Sequence, residues 1–491
     1  MTGLDAAFLA LESPTTHLHI VGVLVLDPSD EPFELTFRRV RALVAERIEW
    51  VRPFRMRLVA APLGLGHPGL VEDEFPDLDY HVRRAGLPRP GGRQELEGLV
   101  AHLASRPLDR RRPLWEMHVV DGLADGGVAV VVKVHHAIID GVAGAELLAT
   151  FFDLEPLTAT TPVTRLDRRR HEVAPGAWSR GAPGAWPGLE ADQWLELFGS
   201  VPGHVDAALR SVGRTVQRAR SMATQWRRET SPSTPLPLGA PKTSINRAIS
   251  PHRRVAFGDL AMGDVRRVRD VLGGTVNDVV LAVTAGSLRR FFAGRGEEPE
   301  GPLVVMAPVS VRSPDGRTSL GNQLSALLVS LPTMTDDPAD RLQQVRESVA
   351  AARDLDRGGG SSLVSGWAEA LVPALASGVS RLASEGRLFD RLPPIFNVVV
   401  SNVPGPDIPL FLAGTRLRTM YPMGPVIEGA GVNITVISYL DRIHVGVQAC
   451  WDLVPDVEVI ARGMEDSLTE LVRAADRRDR PVPWWHAEVP A

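Results

Sequence analysis

The most informative pattern in the chain is a run of apolar, mostly β-branched residues that ends in two histidines. The run begins at Val128, and its composition predicts a strand buried on both faces. His135 and His136 close it, and the Asp140-Gly141 pair that follows indicates a turn. Because side chains alternate along a strand, the two imidazoles are expected to point in opposite directions, so at most one can face a given pocket.

Periodicity predicts further strands and helices on both sides of this run. Short apolar or alternating runs predict strands, and spacings of three and four residues predict helices. Predicted strands lie at residues 20–26, 115–120, 303–311, 396–400, 432–439 and 443–449. Predicted helices lie at residues 35–47, 95–103, 142–152, 265–272, 276–292, 339–352 and 457–474. Short turns should join 115–120 to the histidine strand and 432–439 to 443–449 as hairpins, and residues 402–406 indicate a rigid turn.

The length and one unusual segment predict two domains. A chain of 491 residues is too long for one ordinary core. The segment after residue 155 is rich in Pro, Gly and Arg and carries four tryptophans, which is typical of an interdomain connection. The predicted division is therefore a first domain at 1–165, a connection at 166–243 and a second domain at 244–491.

The connection contains one helical stripe of apolar residues flanked by three arginines. Its members are Val205, Leu209, Val212, Val216, Ala219, Ala223 and Trp226, with Arg210, Arg214 and Arg218 beside them. Such a helix either packs on the body of the protein with a solvated basic flank, or lies on a membrane with its arginines towards anionic lipid. The Trp484-Trp485 pair near the C-terminus is a second candidate for contact with a lipid surface.

Charge and composition exclude several functional classes. The net charge of −5 gives no reason to expect nucleic acid as a partner. Cys450 is the single cysteine, so no intrachain disulfide can form, and a reducing compartment is expected. No signal peptide is expected, because no basic stretch followed by an apolar segment is seen near residue 1, and no apolar window reaches the roughly 20 residues that a membrane span needs. A lipid substrate would therefore be met from the surface.

The histidine pair itself allows three interpretations. Both residues could be hydrogen-bonded core histidines. They could form a metal site with Asp140, although opposed side chains and the lack of a nearby His, Cys or Glu cluster count against it. One of them could be a general base, because a neutral imidazole accepts a proton near neutral pH. The pattern alone does not decide.

Several motifs in a fixed order give the chain a family resemblance. The segment His135–Gly141 matches His-His-x-x-x-Asp-Gly, the signature of CoA-dependent acyltransferases of the chloramphenicol-acetyltransferase-like superfamily. Further motifs are Gly3–Phe8 through Glu12-Ser13-Pro14, Arg112-Pro113-Leu114-Trp115-Glu116, Asn277-Asp278-Val279-Val280-Leu281 and Ser401–Pro406. Together they resemble the bacterial wax ester synthase/diacylglycerol acyltransferase family over nearly the whole chain, apart from the connection.

The resemblance implies a fold and an activity. The fold would be α/β, with two chloramphenicol-acetyltransferase-like domains of mixed sheets flanked by helices and an active-site tunnel at their interface. The reaction would move a long-chain acyl group from acyl-CoA, the co-substrate, to diacylglycerol or a long-chain alcohol, giving triacylglycerol or wax ester. No bound cofactor and no metal are implied, and the choice of acceptor stays open.

The resemblance also implies roles for individual residues. The family places its base at the second histidine, so His136 would be the general base and His135 its packed neighbour. Independently of the family, Asp140 before Gly141 is expected to be structural, with Arg312 as candidate ion-pair partner. Asn277 is a candidate oxyanion donor, although a backbone amide could serve. The substrate-binding candidates are Pro113, Leu114, Trp115, Asp278, Ser401 and Asn402. Without the resemblance, Trp115 would be read as an aromatic core anchor, and the Asn277-Asp278 pair as a helix cap.

Two alternative functions are compatible with the same motifs. A condensation-domain-like acyltransferase shares the histidine motif, and a non-catalytic lipid-binding relative would share the fold. Direct transfer is expected over a covalent acyl-enzyme, because Cys450 is the sole thiol and no Gly-x-Ser-x-Gly elbow is present. We expect a cytoplasmic protein that associates peripherally with the inner membrane face or with lipid droplets. The oligomeric state is not predicted.

Overall fold

The computed structural model describes residues 3–27, 35–59, 68–138, 150–156, 239–310, 324–355, 390 and 393–479. Several features predicted above lie outside these residues and stay predictions. They are Asp140, Gly141, Arg312, most of the predicted helix 142–152, the 205–226 stripe with its arginines, and the Trp484-Trp485 pair.

Six helices in the described part of the chain agree closely with predicted ones, and two, the first and the third in chain order, were not predicted. Their bounds are α1 (Gly3–Leu11), α2 (Phe37–Arg47), α3 (Leu78–His81), α4 (Arg93–Ala104), α5 (Met262–Leu272), α6 (Val276–Gly294), α7 (Pro338–Leu355) and α8 (Glu458–Asp479). Two 3-10 turns, Ile48–Trp50 and Arg52–Arg55, follow α2.

The strands form two large mixed sheets and one small hairpin. Their bounds are β1 (His19–Asp27), β2 (Met56–Val59), β3 (Gly69–Glu72), β4 (Val82–Gly86), β5 (Trp115–Asp121), β6 (Val128–His135), β7 (Arg253–Ala261), β8 (Leu303–Ser310), β9 (Leu324–Leu331), β10 (Val398–Val403), β11 (Phe411–Leu412), β12 (Thr415–Met423), β13 (Val432–Tyr439) and β14 (Arg442–Cys450). The first sheet has the order β11-β12-β1-β6-β5-β4, the second β7-β14-β13-β10-β8-β9, and β2 pairs with β3.

The first sheet contains strands from both ends of the chain. β12 pairs antiparallel with β1, from Val21 opposite Met423 to Asp27 opposite Arg416. Conversely, α4, from the N-terminal part of the chain, packs against β7 of the second sheet. The predicted limits at 165 and 243 remain predictions, but the sheets do not follow them, because β11 and β12 belong to the predicted second domain.

Three apolar clusters hold these layers together. α5, α6, α7 and α8 share one cluster with the inward-facing residues of the second sheet. α2 and the two 3-10 turns pack on one face of the first sheet. The opposite face is covered by α4 and by Val255 and Phe257 of β7. Each fully buried Val or Leu side chain contributes about 1.5–3 kcal/mol, so the clusters supply the main favourable term that fixes the two sheets.

Two corrections to the predicted elements bear on the site. β10 continues to Val403 in parallel pairing with β13, so Ser401 and Asn402 belong to a strand, and the predicted turn cannot begin at residue 402. The sequence analysis also missed five strands of the two large sheets, which are β4, β7, β9, β11 and β12, and the small β2–β3 hairpin.

No single helix within the described ranges is long and apolar enough to cross a membrane. α5 and α6 meet that test only as a pair, with a bend of 101° between them.

Candidate active site

The two histidines lie where the central strand β6 ends. β6 closes at His135, and residues 136–138 form a turn. The backbone N–H of His136 donates to the Leu18 carbonyl, and that of Ile138 donates to the His135 carbonyl. The alternation argument therefore extends only to His135, because His136 is already in the turn.

His135 is buried inside the fold and hydrogen-bonded through one ring nitrogen. Its side chain is 1% exposed, and its Nδ1 accepts the backbone N–H of Ala137 at 3.0 Å. Nδ1 therefore carries no proton, and the hydrogen of the neutral ring is on Nε2, which lies 3.8 Å from the Glu12 carboxylate. Burial, with a smaller effect from Arg110 and His136, lowers the pKa of His135 to about 3. A neutral imidazole whose lone pair is already committed is a poor base for a substrate.

His136 has a different environment, although it is the next residue. The side chain is only partly buried. Its ring lies against Phe8 of α1, with 4.3 Å between ring centroids and a tilt of 34°. Its Nδ1 is buried, so a substrate hydroxyl could be reached only by Nε2. Of the two histidines, His136 is therefore the less buried. Its role as general base stays a prediction.

A buried ion pair supports the strand behind the histidines. Lys133 of β6 is 1% exposed, and its Nζ lies 3.2 Å from Glu116 of β5. It also donates to the carbonyls of Leu103 and Arg106 at the C-terminal end of α4, where a cation is favoured. Burial alone would raise the pKa of Glu116, but a hydrogen bond with His118 and the charge of Lys133 lower it to about 2.

Two histidines of the neighbouring chain segment extend this polar layer to the same helix end. The Nε2 atoms of His17 and His19 lie 3.1 and 3.0 Å from the carbonyl oxygens of Ser105 and Ala104, to which they donate. Burial and nearby positive charge lower the pKa of His17 to about 4 and that of His19 well below its usual value. Side chains of β1, of the segment before it and of β6 thus bind the end of α4 and fix the strands that carry the site.

The predicted substrate-channel residues Pro113, Leu114 and Trp115 are buried. The Trp115 ring is stacked between His81 and Phe54 with centroid distances of 4.4 and 4.5 Å, and its N–H donates to the Phe54 carbonyl at 2.9 Å. These are the contacts of a core anchor. A role in the substrate channel stays a prediction.

The second group of predicted residues gathers at the start of α6. Asp278 closes a capping box, accepting the backbone N–H of Thr275 at 2.8 Å, as the helix-cap interpretation predicts. Asn402 donates through Nδ2 to Oδ1 of Asn277 at 3.3 Å, with the partly buried Ser401 preceding it on β10. This hydrogen bond brings two separate sequence motifs together.

The two groups border one apolar cluster. Ala137 and Ile138 of the histidine turn belong to it, and Val403, at the end of β10, packs against it. Sequence reasoning missed Phe8, Glu12 and Arg110, which surround the histidines. Phe8 and Glu12 stood in the opening motif, but a single sequence does not reveal what they contact. Within the described residues, no group of three or more His, Cys, Asp or Glu side chains could hold a metal ion.

Comparison with known protein families identifies the family of this chain. Residues 1–280 match the wax ester synthase/diacylglycerol acyltransferase catalytic domain, and residues 320–472 match the C-terminal domain of the same family. The chain belongs to the wax ester synthase/diacylglycerol acyltransferase family. The predicted resemblance and the predicted class of enzyme, an acyltransferase, are confirmed.

Individual relatives agree with this assignment. A Mycobacterium tuberculosis protein named as a candidate diacylglycerol O-acyltransferase is 37% identical over 487 residues, covering 98% of this chain and 91% of its own. A second M. tuberculosis protein with the same kind of name is 34% identical over 475 residues, covering 97% and 96%.

Solved structures support the predicted α/β fold. The wax ester synthase/diacylglycerol acyltransferase of Marinobacter aquaeolei VT8 has a TM-score of 0.65 and 27% identity, covering 97% of this chain and 99% of that one. The first condensation domain of the calcium-dependent antibiotic synthetase has a TM-score of 0.52 at 15% identity, covering 97% and 95%. The condensation domain shares the fold, which confirms the predicted fold class.

Proposed function

We propose that this family member transfers a long-chain acyl group from acyl-CoA to the hydroxyl of diacylglycerol, of a long-chain alcohol, or of both. The observation that carries the proposal is the contrast between the two histidines. The Nδ1 lone pair of His135 accepts the backbone N–H of Ala137. His136 stands in the turn and is only partly buried, and because its Nδ1 is buried, Nε2 is the nitrogen through which it would meet a substrate.

His136 acts as the general base in a direct transfer. Its Nε2 takes the proton of the acceptor hydroxyl while the oxygen forms a bond to the thioester carbonyl carbon. The tetrahedral intermediate then breaks its carbon–sulfur bond, and the proton passes from His136 to the departing CoA thiolate. Base catalysis of this kind contributes about 10²–10⁴ in rate.

A covalent acyl-enzyme is not needed for this reaction. Cys450 is fully buried at the end of β14, beside Ser250, and has no exposed sulfur for a thioester to reach. Incubation with radiolabelled acyl-CoA but no acceptor should leave no stable label on the protein. The Cys450→Ser variant should keep its activity.

Asn277 is our candidate for the group that stabilises the oxyanion. The Ile138 amide is bonded to the His135 carbonyl and the Ala137 amide to the His135 ring, so neither is available. Asn402 occupies Oδ1 of Asn277, which leaves the Nδ2 hydrogens of Asn277 to donate elsewhere. One oxyanion donor is worth about 3 kcal/mol.

We further propose peripheral association with the inner membrane face or with lipid droplets, because the acceptors and products partition into lipid. The apolar 205–226 stripe with its flanking arginines and the Trp484-Trp485 pair are the sequence candidates for this contact. Replacing Arg210, Arg214 and Arg218 with Gln should weaken co-sedimentation with anionic vesicles, most at low salt. Unchanged binding with a lower melting temperature would instead support a structural helix.

The activity is tested with palmitoyl-CoA and either dipalmitoylglycerol or hexadecanol, by following CoA release and identifying the ester. Release that requires an acceptor and is lost in His136→Ala supports the proposal. Acceptor-independent hydrolysis, or no turnover with either acceptor, would contradict it. An amine acceptor in a third reaction distinguishes condensation-type chemistry.

A further inference from the structure

Two residues in and just after the first helix, spaced one helical turn apart, lie next to the two histidines. Phe8 lies in α1 against the His136 ring, at a centroid distance of 4.3 Å. Glu12 follows α1 directly and lies 3.8 Å from Nε2 of His135. Residues four apart lie on the same side of a helix. One side of this short segment therefore contacts the proposed base and its supporting neighbour.

An arginine from a different segment holds the end of this helix. Arg110 donates through Nε and an NH2 nitrogen to one oxygen of Glu12, at 2.8 and 2.6 Å, and through the same NH2 nitrogen to the Leu9 carbonyl. Leu9 is itself 4% exposed in the apolar cluster of the first sheet. The helix is thus anchored by a buried side chain, a capped carbonyl and an ion pair, and its distance from the histidine turn is fixed.

We propose that Phe8 is a positioning residue for acyl transfer, holding the His136 ring so that Nε2 points to the acceptor hydroxyl, with the Glu12–Arg110 pair holding α1 in place. The proposal rests on the proposed role of His136 as base. A ring in contact with an imidazole restricts its side-chain rotation. Misplacement of a catalytic group by about 1 Å can reduce the rate about 100-fold.

The electrostatics of the contact between Phe8 and His136 also support the proposed role of Phe8. During transfer His136 becomes a cation, and the face of an aromatic ring attracts a cation within about 6 Å of its centroid. The Phe8 ring meets this distance, so it favours the protonated intermediate as well as the orientation. An aliphatic side chain of similar volume would fill the space without either effect.

Phe37 provides a matched control, because it is also a partly buried phenylalanine packed against the same apolar cluster. We compare Phe8→Leu, Phe8→Tyr and Phe37→Leu by kcat, by KM for palmitoyl-CoA, by the pH dependence of kcat/KM and by melting temperature. The rate at which diethyl pyrocarbonate modifies His136, measured by peptide mass spectrometry, reports on the contact without relying on activity.

We expect Phe8→Leu to lower kcat about 10- to 100-fold with little change in KM, and to accelerate modification of His136. Phe8→Tyr should retain most of the activity because it keeps the ring, and Phe37→Leu should change neither readout. Glu12→Gln should have a smaller effect than Phe8→Leu in the same direction. Equal losses in the two leucine variants, or a Phe8→Leu enzyme with wild-type kcat and unchanged modification, would overturn the proposal.

The His136→Ala variant distinguishes failure of the Phe8 proposal from failure of the proposed role of His136 as general base. If that variant stays active, His136 is not the base and the proposed function fails, whatever Phe8 does. If it is inactive while Phe8→Leu behaves as wild type, only the positioning role is wrong.

Discussion

The backbone N–H of Ala137 donates to Nδ1 of His135, two residues before it in the chain. This bond closes the turn that carries His136 and removes the His135 lone pair from chemistry. Adjacent histidines therefore have unequal environments: the first shapes the turn, and the second is the proposed base.

The first prediction separates these roles. We expect His136→Ala to lower kcat about 10²–10⁴-fold with a nearly unchanged melting temperature. His135→Ala leaves the Ala137 amide buried without its acceptor, which costs about 1–3 kcal/mol of stability. Urea unfolding and activity per folded molecule are measured for both variants. A stable but inactive His135 variant together with an active His136 variant would reverse the assignment.

The second prediction concerns pH and the buried histidines. The pKa of His17 is lowered to about 4 and that of His135 to about 3, from about 6.5 in the unfolded chain. The unfolded chain therefore binds more protons below pH 6.5, so stability is complete above that pH and is lost as the pH falls towards 3–4. Each histidine adds a slope of at most about 1.4 kcal/mol per pH unit.

Melting temperatures from pH 8 to pH 4 measure this loss. His17→Gln should flatten the pH dependence, because glutamine can keep a donor for the Ser105 carbonyl but does not titrate. His102→Gln, an exposed position on α4, is the control and should leave the curve as in the wild type. Identical curves for the wild type and His17→Gln would refute the assignment.

The third prediction concerns the buried ion pair beneath the histidine strand. Lys133→Met leaves the Glu116 carboxylate buried without its cation, and breaking a buried pair costs about 3–5 kcal/mol. Adding Glu116→Leu should recover much of this loss, because the unpaired charge is then gone. As a control, Arg84→Ala removes an exposed pair with Asp121, which should cost at most about 1 kcal/mol. A double variant less stable than Lys133→Met would contradict this account.

How much of this architecture the sequence predicts depends on whether a feature is local. β6 was predicted because a β-branched run is visible within one segment, and β13 and β14 because a short turn joins them. β12 was missed because its partner is β1, about 400 residues away, as the pairing of Val21 with Met423 illustrates. No local pattern specifies a pairing over that distance.

The residues of the candidate site also fall into those that a local sequence pattern reveals and those that meet only in the folded chain. The histidine motif and the cap at Asp278 are local, and both were identified in the sequence. The surroundings of His136 come from separate segments that meet only on folding: Phe8 and Glu12 from the first helix region, Arg110 from the loop before β5. The proposal of His136 over His135 as the base comes from the family resemblance, whereas the different environments of the two rings are visible only in the folded chain.

The last prediction tests the Asn277–Asn402 pair. If Asn277 stabilises the oxyanion, Asn277→Ala should lower kcat about 10²–10³-fold with little effect on KM, because the interaction forms only in the transition state. Asn402→Ala should lower kcat less, about 10-fold, since Asn402 acts by orienting Asn277 and the amide retains some productive orientations. Asn397→Ala is the control: Asn397 is fully buried and accepts the backbone N–H of Val304 at 2.8 Å, so its loss should lower stability without changing activity per folded molecule. An Asn277→Ala enzyme with wild-type kcat would assign the oxyanion to a backbone amide instead.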